Sequence, residues 1–134
     1  MIRLATISDF KAIQSFDPFA GDRSEDISEN RVFAYLIGDL VCGFVSMSRA
    51  GLLGRPYVQY LAVSIEHQRK GIATALLNHI ERLHPNQRLF ISTECGNTHM
   101  QKLLLNKKYI SAGEILMANL NGSKELYYFR DINA

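Results

Sequence analysis

The chain has 134 residues, 47% apolar and 21% charged, which is the composition of an ordinary globular protein. Its net charge of +2 argues against a nucleic-acid partner, and no apolar run approaches the roughly 20 residues that a membrane-spanning helix needs. The length predicts a single domain, residues 1–134, whose core needs neither disulfides nor metal.

The N-terminal third begins without the apolar stretch of a signal peptide, so we expect a cytoplasmic protein. MIRLA (1–5) predicts a strand, and SDFKAIQSF (8–16) predicts a helix that Ser8 or Asp9 would cap. Residues 17–31 form the most polar segment, hold five acids and predict a loop with at most one short helix.

The middle of the chain is rich in β-forming residues. VFAYLI (32–37) and LVCGFVSMS (40–48) are separated by Gly38-Asp39, which predicts a hairpin with a two-residue turn. YVQYLAV (57–63) follows a loop and is nearly continuously apolar. It therefore predicts a central strand that is covered on both faces.

The apolar period changes from that of a strand to that of a helix after Gly71. Apolar residues then recur at steps of three and four, which predicts an amphipathic helix that ends at His84-Pro85-Asn86. The remaining elements are predicted as a strand (88–93), a helix (97–106) capped by Asn97, and two closing strands (109–115 and 125–130). Together these elements predict an α/β sandwich in which an antiparallel hairpin precedes a right-handed crossover.

The junction QRKGIA (68–73), between the strand and the helix, could hold an anion. The first N–H groups of a helix lack partners and carry partial positive charge. Gly71 permits close approach of a ligand, Ala73 keeps the next contact small, and Arg69 and Lys70 add cations. These features fit a pyrophosphate, although Gly71 could also simply begin a helix beside solvent-facing cations.

The run YLAVSIEHQRKGIATALL (60–77) resembles the signature of the GNAT superfamily of acyl-CoA-dependent N-acetyltransferases. In that family Gln/Arg-x-x-Gly-x-Gly/Ala follows the fourth strand and holds the coenzyme A pyrophosphate, and Gln68, Gly71 and Ala73 match it. The order of elements fits along essentially the whole chain. The resemblance implies a mixed, mostly antiparallel central sheet of about six to seven strands, helices on both faces and a splayed parallel pair.

The resemblance also implies that acetyl-CoA is the co-substrate, with its pantetheine arm pairing with the main chain of the fourth strand. The residues that it assigns to the cofactor are Leu61, Ala62, Val63, Gln68, Arg69, Lys70, Gly71, Ile72, Ala73, Thr74 and Asn97. Asn97 fits a simple helix cap equally well.

Two positions that often carry catalytic groups in the family differ here. Gln59 stands where a glutamate base is usual, and Leu104 stands where a tyrosine acid is usual. We therefore expect Glu94, at the end of the fifth strand, to act as the catalytic base, with Glu66 as the second choice. The candidate acids are tyrosines that also suit strand packing: Tyr60, Tyr127 and Tyr128.

Other reactive residue types are predicted to be structural. Tyr109 is expected in the core, Cys42 is expected to be buried, and Cys95 lies near the motifs and could be reactive. The four histidines have no metal-binding spacing, so no metal is predicted.

The predicted function is transfer of an acetyl group from acetyl-CoA to a primary amine of a small molecule or a peptide by direct attack. Residues 17–31 would wall the acceptor side, and their acids would suit a cationic acceptor. The alternative is a non-catalytic acyl-CoA-binding or interaction module with the same fold. No nucleic acid or membrane partner is expected, and the final strand could form an edge that pairs with a second copy in a homodimer.

Overall fold

The computed structural model of the chain describes residues 1–19 and 21–133. Within them lie the strands β1 (Ile2–Leu4), β2 (Val32–Ile37), β3 (Leu40–Met47), β4 (Tyr57–Val63), β5 (Arg88–Glu94), β6 (Ile110–Ile115) and β7 (Glu125–Asp131). The helices are α1 (Phe10–Gln14), α2 (Ser24–Ser28), α3 (Ile72–Leu83) and α4 (Thr98–Asn106). Single 3-10 turns cover Ile7–Asp9 and Ile65–His67.

The described strands form one sheet in the order β1-β2-β3-β4-β5-β7-β6. Every neighbouring pair is antiparallel except β4–β5, which is parallel. The predicted mixed, mostly antiparallel sheet is therefore confirmed. The expectation that the final strand could be an edge was wrong, because β7 lies between β5 and β6 and the edge position belongs to β6.

The parallel pair β4–β5 separates soon after it begins. Its register holds only at Tyr57 with Phe90 and at Val58 with Ile91, although both strands continue. A bulge lies just beyond that point in β4, since the partners of Tyr60 and Val58 on β3 are adjacent residues. The strands therefore splay apart on the C-terminal side of Val58 and leave a gap in the sheet.

Both faces of the sheet are covered, as predicted. Ile13 of α1 and Ile27 of α2 pack on one face in a cluster with Phe44. Leu76 and Ile80 of α3 and other apolar residues of α3 and α4 pack on the opposite face. Burial of these side chains favours the fold by about 25 cal/mol for each Å² of apolar surface removed from water.

The first helix α1 has Asp9 at its N-cap position, as predicted, but the Asp9 side chain makes no capping bond. Thr6 precedes the 3-10 turn, and its N–H donates to Asp9 Oδ2 over 2.8 Å, while Asp9 also accepts from Arg3 over 2.7 Å. Asp9 therefore bonds backwards along the chain instead of capping the helix that follows. Ser8 is exposed and does not cap it either.

Candidate functional site

A cleft of about 950 Å³ lies along the part of β4 that has separated from β5, and none of the described residues of β5 lines it. Its walls come from β4, the start of α3, α4 and the segment after α1. We call it the β4–β5 cleft. Of the residues that the resemblance assigns to the cofactor, all line this cleft except Lys70, which is exposed beside it. The structure thus brings the predicted set together in one place.

The start of α3 presents main-chain N–H groups to the cleft. Ala75 is the first residue whose N–H reaches back into the helix, to Gly71 O over 3.0 Å, so the N–H groups of residues 72–74 precede the intrahelical ladder. Gly71 occupies the N-cap position of α3 and has no side chain with which to cap the helix. Because a helix start carries partial positive charge, these groups are suited to an anion.

Gly71 adopts a conformation that other residues rarely take. Its φ is 78° and its ψ is 12°, in the left-handed region, and a Cβ added there would have no atom within 4 Å. The glycine is therefore required by the backbone of this turn and leaves open space in front of α3. Arg69 also has a positive φ, of 64°, so the turn is tightly curled.

The β4 wall offers main-chain groups to the gap. Ser64 N donates to Cys42 O on β3, and the antiparallel alternation then turns the polar groups of Val63 and Leu61 away from β3. Gln68 Nε2 donates to Val63 O over 3.1 Å. A ligand that pairs with β4 would therefore compete with the Gln68 side chain.

The α4 wall includes the predicted asparagine and residues that sequence reasoning missed. Asn97 Oδ1 accepts from Met100 N over 3.1 Å, so Asn97 caps α4 while it lines the cleft. Lys102 and Lys107 add positive charge, although Lys107 Nζ is engaged with Glu81 Oε2 over 3.2 Å. Lys107 lies seven residues after Met100, about two helical turns, and this spacing is a signal that could have placed these two residues on one face.

The acids of residues 17–31 do not form the expected acidic wall. Asp26 accepts from Arg23 over 3.2 Å, from Arg31 over 2.9 Å and from Ser46 Oγ over 3.1 Å. Glu25 and Glu29 pair with Arg49. The expectation of a cationic acceptor therefore loses its basis in charge, because most of these acids are neutralised by arginines of the same protein.

The residues that follow α1 give the cleft apolar and aromatic side chains. Phe16, Pro18 and Phe19 line it, and the Phe19 ring lies 4.9 Å from that of Tyr60. The Arg23 guanidinium lies 3.9 Å from the centre of the Tyr60 ring on β4. The segment thus packs against β4 through its rings.

The candidate bases lie outside the lining of the cleft. Glu94 is exposed at the end of β5, and its partner across the ladder is Glu125 on β7. Glu66 is exposed in the turn before α3, and Gln59 is exposed on β4. Leu104 is fully buried in the core, so a side chain at this position packs against the sheet.

The tyrosines lie either in the core, on the face of the sheet that α3 and α4 cover, or on the other face of the sheet. Tyr128 is buried in the core. Tyr109 is confirmed as a core residue, and its hydroxyl donates to Glu81 Oε2 over 2.8 Å. Burial, together with the neighbouring Glu81 carboxylate, raises the pKa of Tyr109 far above its usual range. Tyr127 stacks on Tyr57, with ring centres 6.3 Å apart.

A polar chain that the sequence reasoning missed lies at the closed end of the gap. Tyr57 Oη and Ser92 Oγ are 2.7 Å apart, and Ser92 Oγ donates to Glu125 Oε2 over 2.7 Å. Burial raises the pKa of Tyr57 to about 12. These residues lie on three strands and are 33 to 35 positions apart for each contact, so no local motif signals them.

Metal and thiol chemistry find little support among the described residues. In residues 1–19 and 21–133, no group of three or more His, Cys, Asp or Glu side chains could hold a metal ion. Cys42 is buried, as predicted, and Cys95 is half-buried and does not line the cleft. None of the helices that the structure describes has the length and apolarity to cross a membrane.

Comparison with known proteins gives a consistent family and fold. Residues 4–106 match the model of the acetyltransferase (GNAT) family. The comparison with curated proteins gives no match. A GNAT-family acetyltransferase from Bacillus cereus ATCC 10987 superposes with a TM-score of 0.87 at 23% identity, over 100% of this chain and 98% of that one.

Two further structures share the fold at lower identity. The ribosomal-protein-S18-alanine N-acetyltransferase from Escherichia coli has a TM-score of 0.81 at 17% identity, over 100% of this chain and 94% of that one. The protein yncA from Salmonella typhimurium, whose structure holds its cofactor acetyl-CoA, has a TM-score of 0.77 at 15% identity, with the same coverage of 100% and 94%.

Proposed function

Starting from the fact that this chain belongs to the acetyltransferase (GNAT) family, we propose that it transfers the acetyl group of acetyl-CoA to a primary amine. The proposal takes residues 1–134 as one catalytic domain. The observation that carries it is the meeting of a strand gap and an uncapped helix start in one cleft. The Salmonella relative, which holds acetyl-CoA, supports the choice of co-substrate.

The cofactor would lie along the β4–β5 cleft in an extended form. Its diphosphate would accept hydrogen bonds from the N–H groups of residues 72–74, with Arg69 and Lys70 beside it. Its pantetheine amides would pair with Val63 and Leu61 as an added strand does, and would displace the Gln68 side chain from Val63 O. Asn97 would keep its capping bond and contact the arm from the side.

The reaction would proceed by direct attack on the thioester, without a covalent enzyme intermediate. A primary amine is largely an ammonium ion at neutral pH, so it must lose a proton before it can attack. We propose that Glu94 accepts this proton. Glu94 is exposed at the C-terminal end of β5, where the acceptor would enter. Positioning of the amine and the thioester would supply much of the rate.

The acceptor is proposed to be the amine of a small molecule or of a peptide. Phe16, Pro18 and Phe19 give the cleft an apolar border, and the paired acids of residues 17–31 leave little free charge there. This favours an acceptor whose amine is carried on an uncharged or apolar body. The Escherichia coli relative acts on a ribosomal protein, which makes peptide amines a natural part of the test.

The test is release of free thiol from acetyl-CoA in the presence of a panel of small amines and peptides with free N-termini. The proposal expects turnover with at least one class of amine and a marked loss of turnover in Glu94→Gln with coenzyme A binding retained. A protein that binds coenzyme A tightly but acetylates no amine would instead be the non-catalytic binding module.

A further inference from the structure

Helices α3 and α4 begin at the same edge of the sheet and run in the same direction. Each connects two parallel strands: α3 joins β4 to β5, and α4 joins β5 to β6, which runs parallel to β5 because both are antiparallel to β7. Lys107, which directly follows α4, donates to Asn78 Oδ1 on α3 and so ties the two helices together. The β4–β5 cleft extends between the helices, because the first turn of α3 and much of α4 line it.

The position of this contact shows which residue of α4 lies opposite the start of α3. Ala73 precedes Asn78 by five residues, and Lys102 precedes Lys107 by five residues. At about 1.5 Å per residue, both positions lie about 7.5 Å nearer to the helix starts, and both residues line the cleft. Lys102 therefore lies across the cleft from the N–H groups of residues 72–74, which face the proposed diphosphate.

The positive charge of Lys102 is not offset by an acid. Lys102 is exposed, and its ammonium enters no ion pair or hydrogen bond with residues 1–19 or 21–133. Helix α4 contains no aspartate or glutamate, and the first turn of α3 contains none either. Lys107, in contrast, is held by Glu81 over 3.2 Å. Of these two lysines in the cleft, Lys102 is therefore the one that is available to bind an anion.

Coenzyme A carries two separate anionic groups at its nucleotide end. One is the diphosphate, and the other is the phosphate on the 3′-oxygen of the ribose, one sugar ring away. The N–H groups of residues 72–74, with Arg69 beside them, serve the diphosphate on the α3 side of the cleft. A second phosphate that projects across the cleft would meet Lys102 on the α4 side, where the flexible lysine stem lets the ammonium approach it as a point charge.

We propose that Lys102 binds the 3′-phosphate of coenzyme A and makes the protein prefer coenzyme A to 3′-dephospho-coenzyme A. The inference rests on the proposed acetyltransferase function and assigns a residue to a part of the co-substrate that the diphosphate site does not reach. The preference should be about tenfold, as for one hydrogen bond between charged groups.

The experiment measures by calorimetric titration the Kd of coenzyme A and of 3′-dephospho-coenzyme A for the wild type, Lys102→Ala and Lys102→Glu. We expect Lys102→Ala to bind both ligands with the affinity that the wild type has for the dephospho form. Lys102→Glu should bind coenzyme A more weakly than the dephospho form, because like charges repel. The preference of the wild type should shrink as salt is raised from about 0.05 M to about 0.5 M.

Two further variants show whether the effect belongs to the 3′-phosphate. Arg69→Ala should weaken both ligands by the same factor, because both carry the diphosphate beside which Arg69 lies. Lys11→Ala removes an exposed lysine from α1, outside the cleft, and should leave both affinities unchanged. Thermal midpoints of all variants should match that of the wild type, since alanine is well tolerated at exposed helical positions.

The outcomes distinguish this inference from the function on which it rests. A wild type that binds both ligands equally would overturn the inference, and so would a Lys102→Ala variant that keeps the preference. Equal weakening of both ligands in Lys102→Ala would place Lys102 at the diphosphate and would also overturn it. A protein that shows the Lys102-dependent preference but acetylates no amine would keep the nucleotide site and remove the proposed function.

Discussion

Gly71 shows how one residue can serve the backbone and the ligand at once. Its φ of 78° excludes most side chains on conformational grounds, and the empty space in front of it is where the proposed diphosphate would lie. Gly54, in the loop before β4, has a φ of 75° and equally open surroundings, but it lies outside the cleft. A comparison of the two glycines therefore distinguishes the effect of backbone conformation from the effect of the space that the ligand needs.

Replacement of either glycine by alanine should cost about 1 kcal/mol of unfolding free energy, because both require a left-handed backbone. Only Gly71→Ala should weaken coenzyme A binding, by about tenfold or more, since its methyl group would displace charge-assisted hydrogen bonds. Denaturant unfolding and calorimetric titration of both variants measure the two effects. Equal affinities in the two variants would count against the diphosphate site.

Sequence reasoning identified the residues of the turn 68–73 because a helix start needs only local information. It could not identify Tyr57, Ser92 and Glu125, because strand pairing brings them together from distant parts of the chain. It also misjudged the acids of residues 17–31. Their arginine partners include Arg49, which lies 24 positions from Glu25 and cannot be assigned without the fold.

At the scale of the elements, strong periodicity predicted what the structure contains. The helix after Gly71 and the hairpin around Gly38-Asp39 appear where apolar spacing and turn residues placed them. The order of the strands was harder to predict from the sequence, because β7 lies between β5 and β6 and no local pattern indicates that position. Asp9 holds the predicted N-cap position of the first helix, but its side chain pairs with Arg3 and makes no capping bond.

The Asn97 cap of α4 gives a prediction about stability. Asn97→Ala should lower the unfolding free energy by about 1 kcal/mol, whereas Asn97→Asp should keep it, because aspartate accepts the Met100 N–H equally well. Urea unfolding of the two variants measures this difference. An equal loss in both variants would mean that the bond from the Met100 N–H is not what stabilises α4.

The Arg3–Asp9 pair predicts a pH dependence of stability. The hydrogen bond from Arg3, followed by that from the Thr6 N–H, holds the pKa of Asp9 below its usual range. A carboxyl group whose pKa is lower in the folded than in the unfolded protein stabilises the fold when the pH is above its unfolded pKa of about 3.9. This contribution is lost as the pH falls through the folded pKa.

The variant Asp9→Asn should therefore be less stable than the wild type at pH 7, and the difference should shrink as pH falls below about 4. Urea midpoints measured for both proteins between pH 7 and pH 2 provide the check. Two curves that stay parallel through this range would show that Asp9 does not contribute in this way.

At the scale of the whole molecule, buried charge networks join segments that are far apart in sequence. Asp26 connects α2 with Arg31 and with Ser46 on β3. Glu81 of α3 accepts from Lys107 after α4, from Tyr109 and from Arg130 on β7. The first network fixes α2 to the sheet, and the second joins α3 and the end of α4, which border the β4–β5 cleft, to β7.

Asp26→Ala should destabilise the protein by about 3 kcal/mol, because it leaves a buried Arg23 beside an incomplete set of acceptors. Glu25→Ala, one position away, removes an exposed pair with Arg49 and should have no measurable effect. Denaturant unfolding of both variants tests the contrast. Comparable losses would indicate that burial does not set the strength of these pairs.

The account as a whole depends on where the cofactor lies, and a crystal structure of the protein with acetyl-CoA measures this most directly. We predict that the diphosphate accepts hydrogen bonds from the N–H groups of residues 72–74 and that pantetheine replaces the Gln68 side chain at Val63. A diphosphate bound elsewhere, with those N–H groups occupied by protein atoms and the Gln68–Val63 contact intact, would contradict the account.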